Sequence, residues 1–140
     1  MANIMFFGDI HGDLDTMYEN AQNWEKEHDK SIDLIVQVGD FEVIRSENDL
    51  KFVIGPKKYR KLGDFHKYHS GDKEAPIKTL FIGGNHEDYD FLDQFIDGVE
   101  VAQDIAYLGR SGVIEAYGLK IGFLSGIDNG NKLDPIRKFN

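Results

Sequence analysis

The chain has 140 residues, enough for one domain, and its 41% hydrophobic and 29% charged residues place it outside the disordered, collagen-like and membrane classes. No apolar run approaches the roughly 20 residues of a transmembrane helix, and no signal peptide opens the sequence. The absence of cysteine excludes disulfides and thiolate metal sites, so a metal site must use His, Asp, Glu or Asn. We therefore expect a cytoplasmic protein, or a nuclear one in a eukaryote, with no membrane partner.

The charge is unevenly distributed along the chain. The net charge of −9 argues against a general nucleic-acid coat protein, but residues 51–80 carry eight Lys and Arg against three Asp and Glu. This segment has a net charge of +5 and the rest of the chain −14. Two interpretations stay open: a basic surface beside a phosphate-bearing ligand, or a solvated helix face without a ligand.

The first 96 residues alternate short apolar runs with longer amphipathic segments. The apolar runs predict strands. The longer segments predict helices because their apolar residues recur with a period near 3.6, most clearly in Leu14–His28, for which Asp13 supplies an N-cap. In chain order, we predict strand Ile4–Phe7, helix Leu14–His28, strand 32–38, helix 57–68, strand 79–82 and helix 88–96.

After residue 96 the pattern changes to short strands separated by Gly-containing turns. Strands are predicted at 105–108, 113–117 and Leu119–Leu124, and this part of the chain is expected to be antiparallel. The whole pattern predicts a single α/β layered domain over 1–140 with an additional β portion.

Each of the first three predicted strands ends in a glycine followed by side chains that bind metals. The sequences are Gly-Asp-Ile-His-Gly at 8–12, Gly-Asp-Phe-Glu at 39–42 and Gly-Gly-Asn-His-Glu at 83–87. Because loops at the carboxyl ends of strands in an open α/β sheet share one edge, we expect these side chains to converge. One Gly-Asp pair after a strand is usually only a turn, but three such motifs together indicate a metal site.

The residue types in these motifs suit phosphoryl chemistry. We expect Asp9 and His11 to bind one ion, Asp40 to bridge two ions, and Asn85 to offer its amide oxygen to the second. Two cations about 3.5–4 Å apart activate a water molecule for in-line displacement at phosphorus. His86 is expected to protonate the leaving oxygen or to bind a phosphate oxygen.

The three motifs resemble the first signature motifs of the calcineurin-like metallophosphoesterases. The residue after the middle Gly-Asp departs from the Val-Asp-Arg-Gly pattern of protein phosphatases. The surrounding sequence is instead similar to the RNA lariat debranching enzymes, to about residue 127. The similar stretches are 12–15, 18–19, 39–45, 48–50, 56–60, 68–71, 75–76, 80–87, 107–109, 111–113, 121–122 and 124–127.

This resemblance implies a layered β-sandwich flanked by helices, with its C-terminal part missing from the chain. It implies hydrolysis of the 2′–5′ phosphodiester at an RNA branch point, with branched or single-stranded RNA as partner. Asp9, His11 and Asp40 would hold one ion, Asp40 and Asn85 the second, and His86 would be the catalytic histidine. The resemblance also favours contacts to substrate phosphates by the basic residues Arg45, Lys57, Lys58, Arg60 and Lys67.

The sequence departs from the family pattern in two ways. Many debranching enzymes have cysteine where this chain has Asp9, a harder ligand that favours Mn²⁺ or Fe²⁺, with Zn²⁺ as the further candidate. The family also completes its second metal site with histidines from later motifs, whereas the five histidines here, at 11, 28, 66, 69 and 86, end at His86. Asp40 and Asn85 alone are too few ligands to hold a second ion tightly. His66 and His69 belong to a predicted helix away from the strand ends.

Three interpretations of this missing portion stay open. The chain is half of a split enzyme whose second polypeptide supplies the later histidines, or a truncated enzyme that works with one ion, or a non-catalytic relative that binds RNA or protein. The intact ligand set of the first half favours the enzyme lineage, although a metal site also stabilises a fold.

Overall fold

A five-stranded mixed sheet organises the fold in the computed structural model, which describes residues 1–53 and 55–126. Ile127, the last residue of the similar stretches, lies outside the described residues. So does the remainder of the predicted domain, to residue 140. Two short 3₁₀ turns, Glu47–Lys51 and Lys57–Tyr59, lie between the second and third strands. The strands and helices are β1 (Ile4–Phe7), α1 (Leu14–His28), β2 (Leu34–Gln37), α2 (Phe65–His69), β3 (Thr79–Phe81), α3 (Tyr89–Leu92), β4 (Val99–Ala102), β5 (Ile105–Tyr107), β6 (Ser111–Ala116) and β7 (Leu119–Leu124).

The strand order of the sheet is β1-β2-β3-β5-β4, and the first four of these strands are parallel. Phe7 lies opposite Gln37, and Gln37 lies opposite Phe81. The carboxyl ends of β1, β2 and β3 are therefore level, and the loops that follow them leave from one edge of the sheet. This parallel-rich sheet with helices confirms the predicted α/β class.

Helix α1 packs on the sheet through the apolar face that its sequence predicts. Leu14, Met17, Tyr18 and Ala21 are buried. The Thr79 hydroxyl donates to the carbonyl of Ile77 at 2.9 Å, so the buried Tyr18 hydroxyl donates in turn to Thr79 Oγ1 at 2.8 Å. This bond satisfies both hydroxyl groups and joins α1 to β3 inside the core. As predicted, Asp13 is the N-cap, and its side chain accepts from the Thr16 N–H.

Aromatic rings form the part of the core that lies below the sheet's loops. Phe41, on the loop that follows β2 and fully buried, stacks on Phe81 with 4.0 Å between ring centroids, and packs edge-to-face with Phe65 at 5.9 Å. Phe81 also contacts Tyr107 of β5 at 5.4 Å. These contacts connect the loop after β2 with α2, β3 and β5, so this loop rests on packed rings.

The predicted helix over 57–68 is wrong. The chain forms only the Lys57–Tyr59 turn and the five-residue helix α2, with Arg60 extended between them at φ −74° and ψ 114°. The Asp64 N–H donates instead to the carbonyl of Gly12 at 2.8 Å. A tertiary hydrogen bond therefore replaces the helical one and holds the 60–64 segment against the loop after β1.

The C-terminal strands are present, but their pairing differs in part from the prediction. β5 is parallel to β3, and the antiparallel pairing expected there runs between β5 and β4, a strand that the sequence analysis missed. The predicted strands at 32–38, 79–82, 105–108 and 113–117 are confirmed with ends shifted by one or two residues. The helix predicted over 88–96 is shorter, with Asp88 as the N-cap of α3.

Strands β6 and β7 pair with each other in a separate two-stranded sheet. Val113, Leu119 and Leu124 on this hairpin are more than half exposed. Within the described ranges, no helix has the length and apolar character needed to cross a bilayer.

A polar cluster around Asp15 joins α1 to α2 and to the turn that follows α2. Asp15 accepts hydrogen bonds from Lys73 Nζ at 2.7 Å, the Tyr68 hydroxyl at 2.8 Å and Lys67 Nζ at 3.3 Å. Burial acts to raise the pKa of Asp15, but these hydrogen bonds outweigh it and the pKa is lowered. The ionised form of Asp15 is therefore the one that stabilises the fold.

The Asp15→Asn variant tests whether the ionised form of Asp15 stabilises the fold. A carboxyl group with a lowered pKa contributes stability above its unfolded pKa of about 3.9, and this contribution disappears as the pH falls through the folded pKa. The difference in free energy of unfolding between wild type and Asp15→Asn should be largest near neutral pH and shrink below about pH 4. Urea denaturation followed by circular dichroism at several pH values measures it, with the exposed Asp72→Asn as the control. A difference that does not change with pH would contradict the prediction.

Candidate metal centre

The loops after β1 and β2 run side by side at the edge of the sheet. Three backbone hydrogen bonds join them: Asp9 N–H to Gly39 O at 3.0 Å, His11 N–H to Asp40 O at 2.9 Å, and Gly12 N–H to Phe41 O at 3.1 Å. The sequence reasoning placed these loops together because both follow parallel strands. The hydrogen bonds fix their register and bring the side chains of the two motifs face to face.

The loop after β3 docks on the side chain of Asp40. The backbone N–H of His86 donates to Asp40 Oδ1 at 2.8 Å. A Cβ atom at Gly84 would collide with the same carboxylate, so a glycine is required for this close approach. Asn85 lies between Gly84 and His86 in the sequence and is partly buried. Its predicted role toward a second ion stays a prediction.

Four non-glycine residues of the first two loops have left-handed backbone angles: Asp9 at φ 50°, His11 at 47°, Asp40 at 52° and Glu42 at 63°. Such conformations are rare for residues with a side chain and cost roughly 1–3 kcal/mol each. Strain of this kind persists where surrounding contacts determine the backbone, and it clusters at functional sites. Here it turns three predicted ligands towards one another.

Asp9, His11 and Asp40 each offer one ligand atom, and these atoms lie within 4.8 Å of one another. In the part of the chain that the structure describes, this is the one group of three or more acidic or histidine side chains with metal-site geometry. His11 Nε2 is 3.8 Å from Asp40 Oδ2. Asp40 is buried while Asp9 and His11 are exposed, so the group is anchored on the inside and accessible from outside. Two carboxylates and one imidazole fit Mn²⁺, Fe²⁺ or Zn²⁺.

Glu42 determines which nitrogen of His11 is available to a metal. Its Oε1 atom lies 3.0 Å from His11 Nδ1, and its side chain is buried while that of His11 is half exposed. With Glu42 ionised, this contact requires the proton of His11 on Nδ1, which leaves the lone pair of Nε2 for a metal. Burial raises the pKa of Glu42, and the bond to His11 acts in the opposite direction.

Glu87 holds the second and third loops together. Its fully buried carboxyl group accepts backbone N–H groups from Phe41 and Glu42 at 2.8 Å and from Gly84 at 3.1 Å. Burial raises the pKa of Glu87 to about 8, against the opposing effect of these three N–H groups. The sequence analysis assigned no role to Glu42 or Glu87. The available signal was an acidic residue at the last position of two motifs.

His86 lies beside the three ligands. The centroids of the His86 and His11 rings are 5.4 Å apart, and the two rings meet edge-to-face. Gly55 lies against the imidazole ring of His86, since a Cβ atom at position 55 would come within 2.6 Å of His86 Nδ1. This position agrees with a role at the reaction centre, which stays a prediction. His69 lies elsewhere, with Nδ1 bonded to the carbonyl of Val101 at 2.9 Å.

The predicted phosphate-binding residues occupy different surroundings. Arg45 pairs with Asp49, with 2.9 Å from Nε to Oδ2, and its guanidinium lies 4.0 Å above the Phe91 ring. Lys67 pairs with Asp64 and Asp15.

The other three lie on the segment between the second and third strands. Arg60 donates to the carbonyl of Gly55 at 3.1 Å, and Lys58 Nζ lies 4.7 Å from the centre of the Tyr59 ring. Lys57 is exposed. Substrate contact by all five basic residues stays a prediction.

Comparison with known proteins defines the class. The sequence profile of the calcineurin-like phosphoesterases matches residues 2–140. The chain therefore belongs to the calcineurin-like phosphoesterase family, a family of hydrolases.

Within that family, the chain is similar to lariat debranching enzymes. It is 46% identical over 120 residues to lariat debranching enzyme A of Xenopus laevis, 43% over 122 residues to the enzyme of Arabidopsis thaliana, and 44% over 120 residues to that of Homo sapiens. These matches cover 86%, 87% and 86% of this chain but only 22%, 29% and 22% of the relatives. The chain thus spans less than a third of each relative's length. In each of them the matched region is part of one longer polypeptide, so the comparisons do not support a second polypeptide.

The role of Glu42 in orienting His11 is testable through metal affinity. Glu42→Ala should weaken Mn²⁺ binding by about 10- to 100-fold, because an imidazole without its carboxylate partner is less basic and free to rotate. Glu42→Gln, which keeps an acceptor oxygen, should lose less. Isothermal titration calorimetry measures the affinity, and circular dichroism checks folding. Glu47→Ala, at an exposed glutamate away from the centre, is the matched control. An unchanged affinity in a folded Glu42→Ala protein would disprove the role.

Proposed function

We propose that this domain is a metal-dependent phosphodiesterase that hydrolyses the 2′–5′ linkage of branched RNA. One observation carries the proposal: Asp9, His11 and Asp40 place their ligand atoms within 4.8 Å of one another, beside His86. The carboxylate-rich donor set favours Mn²⁺ or Fe²⁺, with Zn²⁺ as the alternative. The similarity to lariat debranching enzymes supports branched RNA as the substrate class.

Each residue has a defined part in this proposal. A divalent cation, when bound, supplies Lewis-acid stabilisation of the phosphoryl oxygens and lowers the pKa of a water molecule. Asp9, His11 and Asp40 would hold it, and Asp40 with Asn85 would contribute to a second ion. Hydrolysis breaks the bond between phosphorus and the 2′ oxygen and forms a new bond between phosphorus and the oxygen of water. The 2′ oxygen takes up a proton that His86 donates, and the proton released by the attacking water then restores the one on His86.

The remaining parts of the proposal concern the substrate and its surroundings. Arg45, Lys57, Lys58, Arg60 and Lys67 are proposed to contact RNA phosphates. For Arg45 and Lys67, such contact competes with the ion pairs to Asp49, Asp15 and Asp64. Location in the cytoplasm, or in the nucleus of a eukaryotic cell, stays a prediction.

Two variants separate metal binding from proton donation. Asp40→Asn should lose both Mn²⁺ binding and turnover, because a carboxylate ligand is gone. His86→Ala should keep Mn²⁺ binding and lose turnover of a branched RNA by about 10²- to 10⁴-fold, the usual range for a general acid. The same variant should lose less on bis-p-nitrophenyl phosphate, whose leaving group departs readily without a proton. Gel analysis of RNA cleavage, absorbance of nitrophenolate and calorimetry provide the three measurements.

The control is His28→Ala, at an exposed histidine near the end of α1 whose Nδ1 is bonded to the Trp24 carbonyl. It should behave like the wild type in every assay. Tight binding of branched RNA without turnover of either substrate, at saturating Mn²⁺ and Fe²⁺, would contradict the enzymatic proposal and favour a non-catalytic RNA-binding relative.

A further inference from the structure

A cavity of about 840 Å³ opens beside the metal centre. Its lining includes His11 and His86 together with Pro56, Tyr59 and Lys61. The volume lies within the range of about 300–1,000 Å³ that is typical of ligand pockets. It is larger than a phosphoryl group bound at the metal ligands requires, so there is room for a neighbouring part of the substrate.

The segment that carries Tyr59 is fixed against the reaction centre. Its first residue, Gly55, lies on the imidazole of His86, as its φ of 132° and missing side chain permit. The Arg60 guanidinium donates to the carbonyl of Gly55 at 3.1 Å, and the Tyr59 N–H donates to the carbonyl of Pro56 at 3.0 Å. The Tyr59 side chain is 61% exposed, although it lines the cavity. The backbone that carries this ring is therefore held by hydrogen bonds, and much of the ring surface is exposed, with Lys58 Nζ 4.7 Å from the ring centre.

The charges in the lining favour a neutral group over a phosphate. Asp13, Glu42 and Asp64 line the cavity together with one lysine, Lys61, and Lys67 pairs with Asp64 from outside the lining. Three carboxylates repel a phosphate placed among them but accept hydrogen bonds from N–H groups. The edges of nucleobases carry such N–H groups, and every base has an aromatic face that stacks on a tyrosine ring.

We propose that this cavity binds the nucleobase of a nucleotide next to the scissile phosphodiester, with the base stacked on Tyr59. The inference rests on the proposed function, because it places an RNA phosphate at the adjacent metal centre. Stacking on Tyr59 does not depend on the identity of the base. Lys58, whose Nζ lies 4.7 Å from the centre of the Tyr59 ring, is then near the backbone of the bound nucleotide.

Binding of two small probes tests the base subsite without requiring turnover. Guanosine 5′-monophosphate and ribose 5-phosphate carry the same phosphate, and only the first has a base. Calorimetry in the presence of Mn²⁺ should show tighter binding of the nucleotide by the wild type. Tyr59→Ala should reduce that affinity by about 5- to 100-fold and leave ribose 5-phosphate binding unchanged. Tyr59→Phe, which keeps the ring, and Tyr117→Ala, at an exposed tyrosine of the β6–β7 hairpin, should both retain it.

The outcomes distinguish this inference from the proposed function. Base-dependent binding that is lost in Tyr59→Ala supports the subsite even if no substrate is hydrolysed, in which case the proposed reaction fails alone. Equal affinities of the wild type for the two probes, or base-dependent binding that survives in Tyr59→Ala, overturns the subsite even if branched RNA is cleaved.

Discussion

Hydrogen bonds from backbone N–H groups to two buried carboxyl groups hold the centre together. Glu87 accepts from Phe41, Glu42 and Gly84, and Asp40 accepts from His86. Four residues nearby have left-handed backbones at a cost of roughly 1–3 kcal/mol each. A hydrogen bond to a neutral group contributes about 0.5–1.5 kcal/mol, and a buried N–H group left unpaired costs about 1–3 kcal/mol, so these bonds oppose the strain. The arrangement of Asp9, His11 and Asp40 is thus maintained by hydrogen bonds within the fold.

Sequence reasoning predicted the elements whose determinants are local. Helix α1 has a capping aspartate and an apolar face whose residues recur with one period over fifteen residues. Its bounds are as predicted. The helix predicted over 57–68 failed because the N–H of Asp64 finds a better partner in the carbonyl of Gly12, a contact that no local pattern reveals. β4 was missed because its pairing with β5 contains an irregularity between Glu100 and Ala102, and an interrupted four-residue edge strand has a weak alternation signal.

The same distinction applies to the centre. The convergence of Asp9, His11 and Asp40 follows from the topology rule for parallel strands, so residue type and position in the chain sufficed to predict it. The role of Glu42 depends on the direction of its side chain, which follows from a φ of 63° that no propensity favours. The role of Glu87 depends on the N–H groups of Phe41 and Glu42, which lie 46 and 45 residues away in the chain. The prediction that basic residues lie near RNA rested on the number of Lys and Arg residues in one segment. The ion pairs of Arg45 and Lys67 show that part of this charge already has acidic partners within the fold.

The contact between Gly55 and His86 connects the two halves of the proposed site. His86 is proposed to donate a proton, and the residue that fixes one side of its ring begins the segment that carries Tyr59. A base stacked on Tyr59 would add a contact to that segment and, through Gly55, would favour one position of the imidazole. Substrate contacts away from phosphorus would then contribute to the orientation of the proton donor, which is how remote binding energy serves a chemical step. A metal site alone positions a phosphate; with this coupling, the position of the proton would also depend on the nucleotide beside it.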